Sequence, residues 1–458
     1  MKVRVHGGRP LRGAAALPVD PAVAQRALAV AALCSHRTRL DERIAGSGPL
    51  SMMQVLRELG VPIEHEAQST RITGVGRTGF TAPKGALDAG TSSLAFAITV
   101  GLLSAQRFGT RVLLETTAES PAPAIAAALR ARGAMIAEGN VQAPGTHGRK
   151  RTSLSVAPLV DDETLRPIEH VLQTPNELVK AALLFSGLYA AGETNIGEPL
   201  LSADHTERWL TAAGVPVRRL GSIAGIDPAE WSGELAFASA PLDARGERVL
   251  KLPGDTALAS LLACVASVVP GSNVLLENVG WNATRTGVLD ALRLSGARID
   301  ATSLGDGAGN EPVAQARIEP ARLRGGPIDG ELLVRAGSAA PLVAIIGVCS
   351  ARGGSLHDAA FCPELQPSPW SLIAGVLHAF GTRTQLLADR SLRIEPVAAL
   401  TPTHCDALGS PALGLLALAL ALIADGQSVL DGMPPLDEQW PGLLGVLTQL
   451  GARIEVET

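Results

Sequence analysis

Aromatic side chains are scarce in this sequence: Phe, Trp and Tyr make up 3% of 458 residues, and there is one tyrosine. The core must therefore be filled by Ala, Val, Leu and Ile, whose small volumes require backbones to approach closely. Cysteine is also sparse. Cys34, Cys264, Cys349, Cys362 and Cys405 show no Cys-x-x-Cys spacing, which excludes a disulfide framework and a cysteine zinc site. No His-x-x-x-His pattern occurs, so neither a metal nor another cofactor is expected. An excess of one charge is missing as well. The 39 Lys and Arg are interspersed with 44 Asp and Glu, for a net charge of -5, which leaves no basic face for nucleic acid. The most apolar run, Leu413 to Ile423, is too short to cross a bilayer. With no secretory leader pattern, these absences predict a cytoplasmic protein with reduced thiols and a small-molecule partner.

What the chain does have is repetition. One recurring element is an amphipathic helix end, a glycine and a short strand: VLRELGVPI (55–63), ALRARGAMI (128–136), WLTAAGVPV (209–217), ALRLSGARI (291–299), VLHAFGTRT (376–384) and VLTQLGARI (446–454). Gly60, Gly133, Gly214, Gly296, Gly381 and Gly451 are placed for left-handed C-caps, which a residue without Cβ adopts at least cost. The second element is a helix apolar on every side, a tight turn and an alternating strand, as in 179–198, 258–277 and 413–432. A helix apolar all round must be buried all round. Each unit of about 75 residues cannot bury its own faces, so neighbouring units must pack together. The pattern predicts an α/β protein of six units, grouped as three per domain, with a ligand cleft between the domains.

Two long blocks carry a resemblance. GLYAAGETNIGEPLLSADHTERWL (187–210) and LPGDTALASLLACVASVVPGSNVLLENVGWNATRTGVLDALRLSGARI (252–299) are similar to blocks of the 5-enolpyruvylshikimate-3-phosphate synthase family. The resemblance runs over nearly the whole chain and implies the two-domain enolpyruvyl transferase fold. It implies that the chain crosses twice between domains, giving residues 20–247 as one and 1–19 plus 248–458 as the other. It also implies a reaction, transfer of the carboxyvinyl group of phosphoenolpyruvate to a hydroxyl of shikimate 3-phosphate.

The resemblance fails at the motifs that would carry that reaction. Where the family has P-G-D-K-S-x-S-H-R-A, this chain has Pro18-Val-Asp-Pro-Ala-Val-Ala-Gln-Arg-Ala27. Pro21 thus replaces a substrate-binding lysine and Ala22 a serine, while Arg26 survives where the family holds the shikimate carboxylate. In the phosphoenolpyruvate cradle, Thr91, Ser93 and Ala97 stand for Asn, Gly and Arg, with Gly90 and Ser92 kept. The phosphoenolpyruvate arginine of the next motif is absent from Glu119-Ser-Pro-Ala122. The phosphate clamp S-A-Q-V-K reads Asn176-Glu-Leu-Val-Lys180. Ser338 and Ala339 replace the catalytic aspartate and glutamate, and Ser368, Pro369 and Leu372 replace Lys, Glu and Arg of E-L-R-V-K-E-S-D-R. The arginine of D-H-R-I-A-M-A is missing from the segment that starts at Asp406. Losing one charged partner of a bound phosphate costs a few kcal/mol, and about five cations and both proton-transfer acids are gone. Ordinary carboxyvinyl transfer is not expected.

The groups expected to face a ligand are Asp20, Arg26, Thr91, Ser92, Asn176, Ser338, Gln366, Ser368 and Asp406. Fewer cations and more hydroxyls and amides suit a cyclic polyol carboxylate or its ester, with Arg26 as the acid's anchor. Dehydration of such a ring needs a base near an acidified C–H and an acid near the departing hydroxyl. Glu364 and Glu177, with His357 and His404, are the candidates. Asp255, Asn282, Thr284, Arg285 and the run His205–Arg208 read as caps, turns and ion pairs. Two alternatives stay open: a ligand-sensing or partner-binding protein without catalysis, and a working transferase whose phosphate sites use Arg107, Arg149, Lys150, Arg151 and Arg335.

Overall fold

The computed structural model describes residues 1–116, 120–141, 150–160, 163–357 and 369–457. The chain divides into two compact units. One comprises 1–18, 254–305 and 312–458; the other comprises 19–253 and 306–311. Among the described residues six four-stranded sheets are shared equally, three per unit.

In the 19–253 unit, each sheet couples a parallel pair to an antiparallel hairpin. Arg37–Leu40 pairs in parallel with Arg248–Leu250 and antiparallel with Thr70–Thr73, which pairs with Ile63–His65. The second sheet joins Leu87–Asp88, Thr110–Thr116, Lys150–Val156 and Ile136–Val141, and the third joins Ile168–Val171, Thr194–Gly197, Ile223–Ile226 and Val217–Leu220. In the other unit the same pattern is completed by the two ends of the chain. Lys2–Gly7 lies between Gly426–Asp431 and Arg453–Glu457, antiparallel to both. The sixth repeat is therefore closed by the first strand.

The all-apolar segments are the central helices. Pro21–Leu33, Ser93–Leu103 and Glu177–Gly187 are buried on every face in one unit, and Thr256–Val268 and Pro411–Ile423 in the other. Small side chains allow the close approach that the composition demands. A Cβ on Gly101 would lie 2.6 Å from the carbonyl oxygen of Ala182, so the Ser93 and Glu177 helices touch backbone to backbone. One helical stretch, Gly330–Cys349, is long and apolar enough to cross a membrane, and 67% of its most apolar window is buried. It bends at Gly337, where φ is +53°, and contains Pro341. All six repeat glycines have φ between 84° and 100°, as the C-cap reading requires.

The chain leaves the 19–253 unit after Pro253. The reason is pairing: Arg248–Leu250 is a strand of the first sheet, and the Asp20 amide donates to the Pro253 carbonyl at 3.0 Å. Residues 306–311, the tip of the hairpin between Arg298–Asp306 and Pro312–Glu319, also count with this unit. There His205 Nδ1 lies 2.8 Å from Glu311 Oε1, Arg208 donates to the Asn310 carbonyl, and Gly309 packs on Trp209.

Beside Pro253, the Leu252 amide donates to Glu42 Oε2 at 3.0 Å. Burial pushes the Glu42 carboxyl from 4.5 up to about 7, against the opposing Leu252 hydrogen bond and Lys251. A carboxyl raised in the fold contributes most stability in acid, and that contribution is lost as pH rises from 4.5 through about 7. Glu42→Gln is therefore expected to raise stability at pH 8 by about 1 kcal/mol, allowing for solvent screening, and to change little at pH 4.5. Thermal melts at the two pH values check it; equal gains at both would exclude a titrating Glu42.

Candidate functional site

The three central helices of the 19–253 unit begin together, each with a side-chain cap. Asp20 accepts from the Ala22 and Val23 amides at 2.8 and 3.1 Å. Ser92 accepts from the Ala95 amide at 3.1 Å, and Asn176 from Leu178 and Val179, both at 3.1 Å. Asp255, Asp329 and Ser410 cap the corresponding helices of the other unit. Asp20, Ser92 and Asn176 were expected to face a ligand; the structure places them in one repeated structural role, satisfying first-turn amides.

Side chains then tie these first turns together. Ser92 donates to Gln25 Oε1 at 2.6 Å, and Gln25 Nε2 donates to the Pro21 carbonyl. Arg26 is fully buried. Its Nε donates to Thr206 Oγ1 at 2.9 Å, Nη1 to the Ala22 carbonyl at 3.1 Å and Nη2 to Glu177 Oε2 at 2.9 Å. The carboxylate expected for Arg26 is present, but it belongs to the protein. Two predicted functional residues, Arg26 and Glu177, are thus one ion pair.

One turn further along, Lys180 is 1% exposed. Its ammonium lies 2.8 Å from Glu198 Oε2 and 2.9 Å from Glu207 Oε1, and donates to the Ser202 carbonyl at 3.2 Å. Burial pulls this ammonium down, but Glu207 and Glu198 together outweigh it and the net direction is up. Burial pushes the Glu207 carboxyl up in spite of Lys180. Arg132 is a second wholly buried guanidinium, and among the described residues it has no carboxylate partner. It donates to the Leu183 and Arg166 carbonyls and to the Ser186 and Thr194 hydroxyls, and burial lowers its pKa to about 10. The sequence offered a signal for Lys180, a lone charge in an apolar helix, and none for Arg132, which sits at an ordinary helix end.

The remaining expected residues are dispersed. Thr91 is exposed in the turn after Gly90. Ser338, His357, His404 and Asp406 belong to the other unit. His357 Nε2 lies 2.9 Å from Ser355 Oγ. His404 is exposed on the strand His404–Asp406 and pairs with Asp431, whose carboxyl that hydrogen bond holds below its usual range. Asp406 Oδ1 accepts from the Leu408 amide at 2.8 Å in a tight turn. Glu364, Gln366 and Ser368 lie outside the described residues. The described catalytic candidates are spread out: Glu177 is in one unit, and in the other His357 follows the strand Gly354–Leu356 while His404 lies on a strand of a different sheet. Among the described residues no group of three His, Cys, Asp or Glu is placed to hold a metal.

Six four-stranded sheets around buried helices, three per compact unit, define the two-unit enolpyruvyl transferase architecture. Solved structures share it over their whole length: EPSP synthase from Acinetobacter baumannii superposes with a TM-score of 0.80 at 25% identity, covering 100% of both chains. The enolpyruvyl transferase NikO from Streptomyces tendae has a TM-score of 0.66 at 16% identity, a likeness of fold alone. The family profile of EPSP synthase (3-phosphoshikimate 1-carboxyvinyltransferase) matches residues 5–409. The 3-phosphoshikimate 1-carboxyvinyltransferase of Pelotomaculum thermopropionicum is 31% identical across 98% of this chain and 99% of its own. That of Acidithiobacillus ferrooxidans is 30% identical across 99% and 98%. The chain belongs to the EPSP synthase family.

Proposed function

We propose that this family member binds a shikimate-type cyclic polyol without transferring a carboxyvinyl group to it. The observation that supports this reading is electrostatic. The cations that remain in the first-helix and clamp motifs, Arg26 and Lys180, are both buried and both neutralised by the protein's own Glu177, Glu198 and Glu207. Phosphate recognition depends on charge-assisted donors aimed at the ligand, and Pro21, Ala97, Ser120 and Leu408 supply no cation. Ser338 and Ala339 supply no acid for proton transfer. Dehydration of the ring remains part of the proposal only through Glu364, because Glu177 is held by Arg26.

The names of the relatives favour a second reading, an active 3-phosphoshikimate 1-carboxyvinyltransferase with rebuilt phosphate sites. Three of the cations such a site would recruit have partners. Arg151 lies 2.7 Å from Asp88, Arg335 pairs with Asp290, and Arg107 donates to the Val160 carbonyl.

The two readings separate in one assay. Purified protein supplied with shikimate 3-phosphate and phosphoenolpyruvate is expected to release phosphate at least ~10⁴-fold more slowly than a family enzyme with intact motifs. Calorimetry with shikimate and its methyl ester is expected to show binding of at least one of them. Turnover at a rate typical of the family would establish the second reading, and silence from both ring compounds would remove the first.

A further inference from the structure

We propose that Glu177 is the specificity residue of the ring site. Its carboxylate occupies the guanidinium arm that a ligand acid would need, so the unit accepts rings that are neutral at that position and refuses ring acids. This inference rests on the ring-binding reading above and names the ligand class within it.

Arg26 is fully buried, and each of its three nitrogens is engaged inside the unit, by Thr206, the Ala22 carbonyl and Glu177. Of the two partners, only Glu177 reaches the surface, with 30% of its side chain exposed against 0% for Arg26. A molecule arriving at these helix starts meets the carboxylate first. Glu177 is also the first residue of its helix, where the helix dipole favours a negative charge, so a competing anion does not displace it readily. The hydroxyl and amide groups at the same helix starts, Ser92, Gln25 and Asn176, are committed to caps and to each other.

Removing the carboxylate reverses the preference. Glu177→Ala leaves a buried guanidinium whose charge has no counterpart, and such a group takes an anion from solution when one can reach it. A pair that served only to brace the Pro21 and Glu177 helices would change stability on mutation but would not create affinity for acids.

The experiment is calorimetric titration of the full chain and of Glu177→Ala and Glu177→Gln with shikimate and with methyl shikimate. Wild type is expected to bind the ester at least about tenfold more tightly than the acid. In Glu177→Ala the acid's affinity is expected to rise at least about tenfold while the ester's stays within about threefold. If Glu177→Ala does not melt cooperatively, Glu177→Gln, which keeps the side-chain shape without the charge, carries the test with a rise of at least about threefold. A folded variant that still binds the ester but gains nothing for the acid overturns the inference and leaves ring binding standing. Wild type that prefers the acid also overturns it. If neither compound binds any of the three proteins, the ring-binding reading falls and takes this inference with it.

Discussion

Lys180→Met is expected to destabilise the 19–253 unit by about 3–5 kcal/mol, because it strands two buried carboxylates at once. Glu198 keeps other partners: its Oε1 accepts from the Asn176 amide at 2.9 Å and its Oε2 from the Ser202 hydroxyl at 2.9 Å. Glu207 is fully buried, and Lys180 is the cation 2.9 Å from it. In a unit of this size the loss corresponds to a fall in Tm of roughly 10 °C. Its pH dependence has a definite sign. Without the ammonium, the folded Glu207 carboxyl, already raised by burial, is pushed further above its ordinary range, so the variant binds more protons folded than unfolded and loses stability as pH rises. The deficit is therefore expected to be small near pH 4.5 and full at pH 8. Melts of both proteins at the two pH values test this. A variant within 2 °C of wild type at pH 8, where about 10 °C is expected, would mean the ammonium is not what holds those carboxylates. Adding Glu207→Leu to the variant is expected to recover part of the loss, since an apolar pair replaces an unpaired charge.

Trp209→Ala is expected to cost about 3–5 kcal/mol, the range for emptying a large aromatic site in a packed core. Trp209 has no solvent exposure, stacks edge-on against Phe237 with ring centroids 5.7 Å apart, and is the surface on which Gly309 sits. A Cβ on Gly309 would come within 2.2 Å of the indole, so nothing larger than glycine fits there, and the φ of +69° suits glycine as well. Deleting the ring should therefore loosen the 306–311 tip together with the helix His205–Ala212. The indole N–H finds no partner among the described residues. Trp209→Phe should on that account lose less than half as much as Trp209→Ala, because it keeps the aromatic contact and removes an unsatisfied donor. Chemical denaturation followed by far-UV circular dichroism measures both. Equal losses for the two variants would contradict this account.

Both predictions concern charges and aromatics placed where periodicity alone is silent, and the same division runs through the molecule. The six glycine-ended helices, the all-apolar helices and the count of six units were legible because each depends on neighbours within about four residues. A C-cap glycine needs positive φ whatever surrounds it, and a helix without a polar face has to be buried. Asp20, Ser92 and Asn176 were visible as polar residues at helix starts, and local cap chemistry accounts for their hydrogen bonds.

The sequence by itself determined the repeat, the α/β class and the buried helices. Tertiary structure alone decided which distant groups meet. Lys2–Gly7 shares a sheet with Arg453–Glu457, Arg248–Leu250 joins Arg37–Leu40, and Arg26 finds Glu177 across 151 positions of chain. Side-chain periodicity records how much of a residue is buried and carries no information on its partner. A buried cation must have its charge met, but which carboxylate meets it is set by how helices pack, and here that choice put the protein's own acid where a ligand's had been expected.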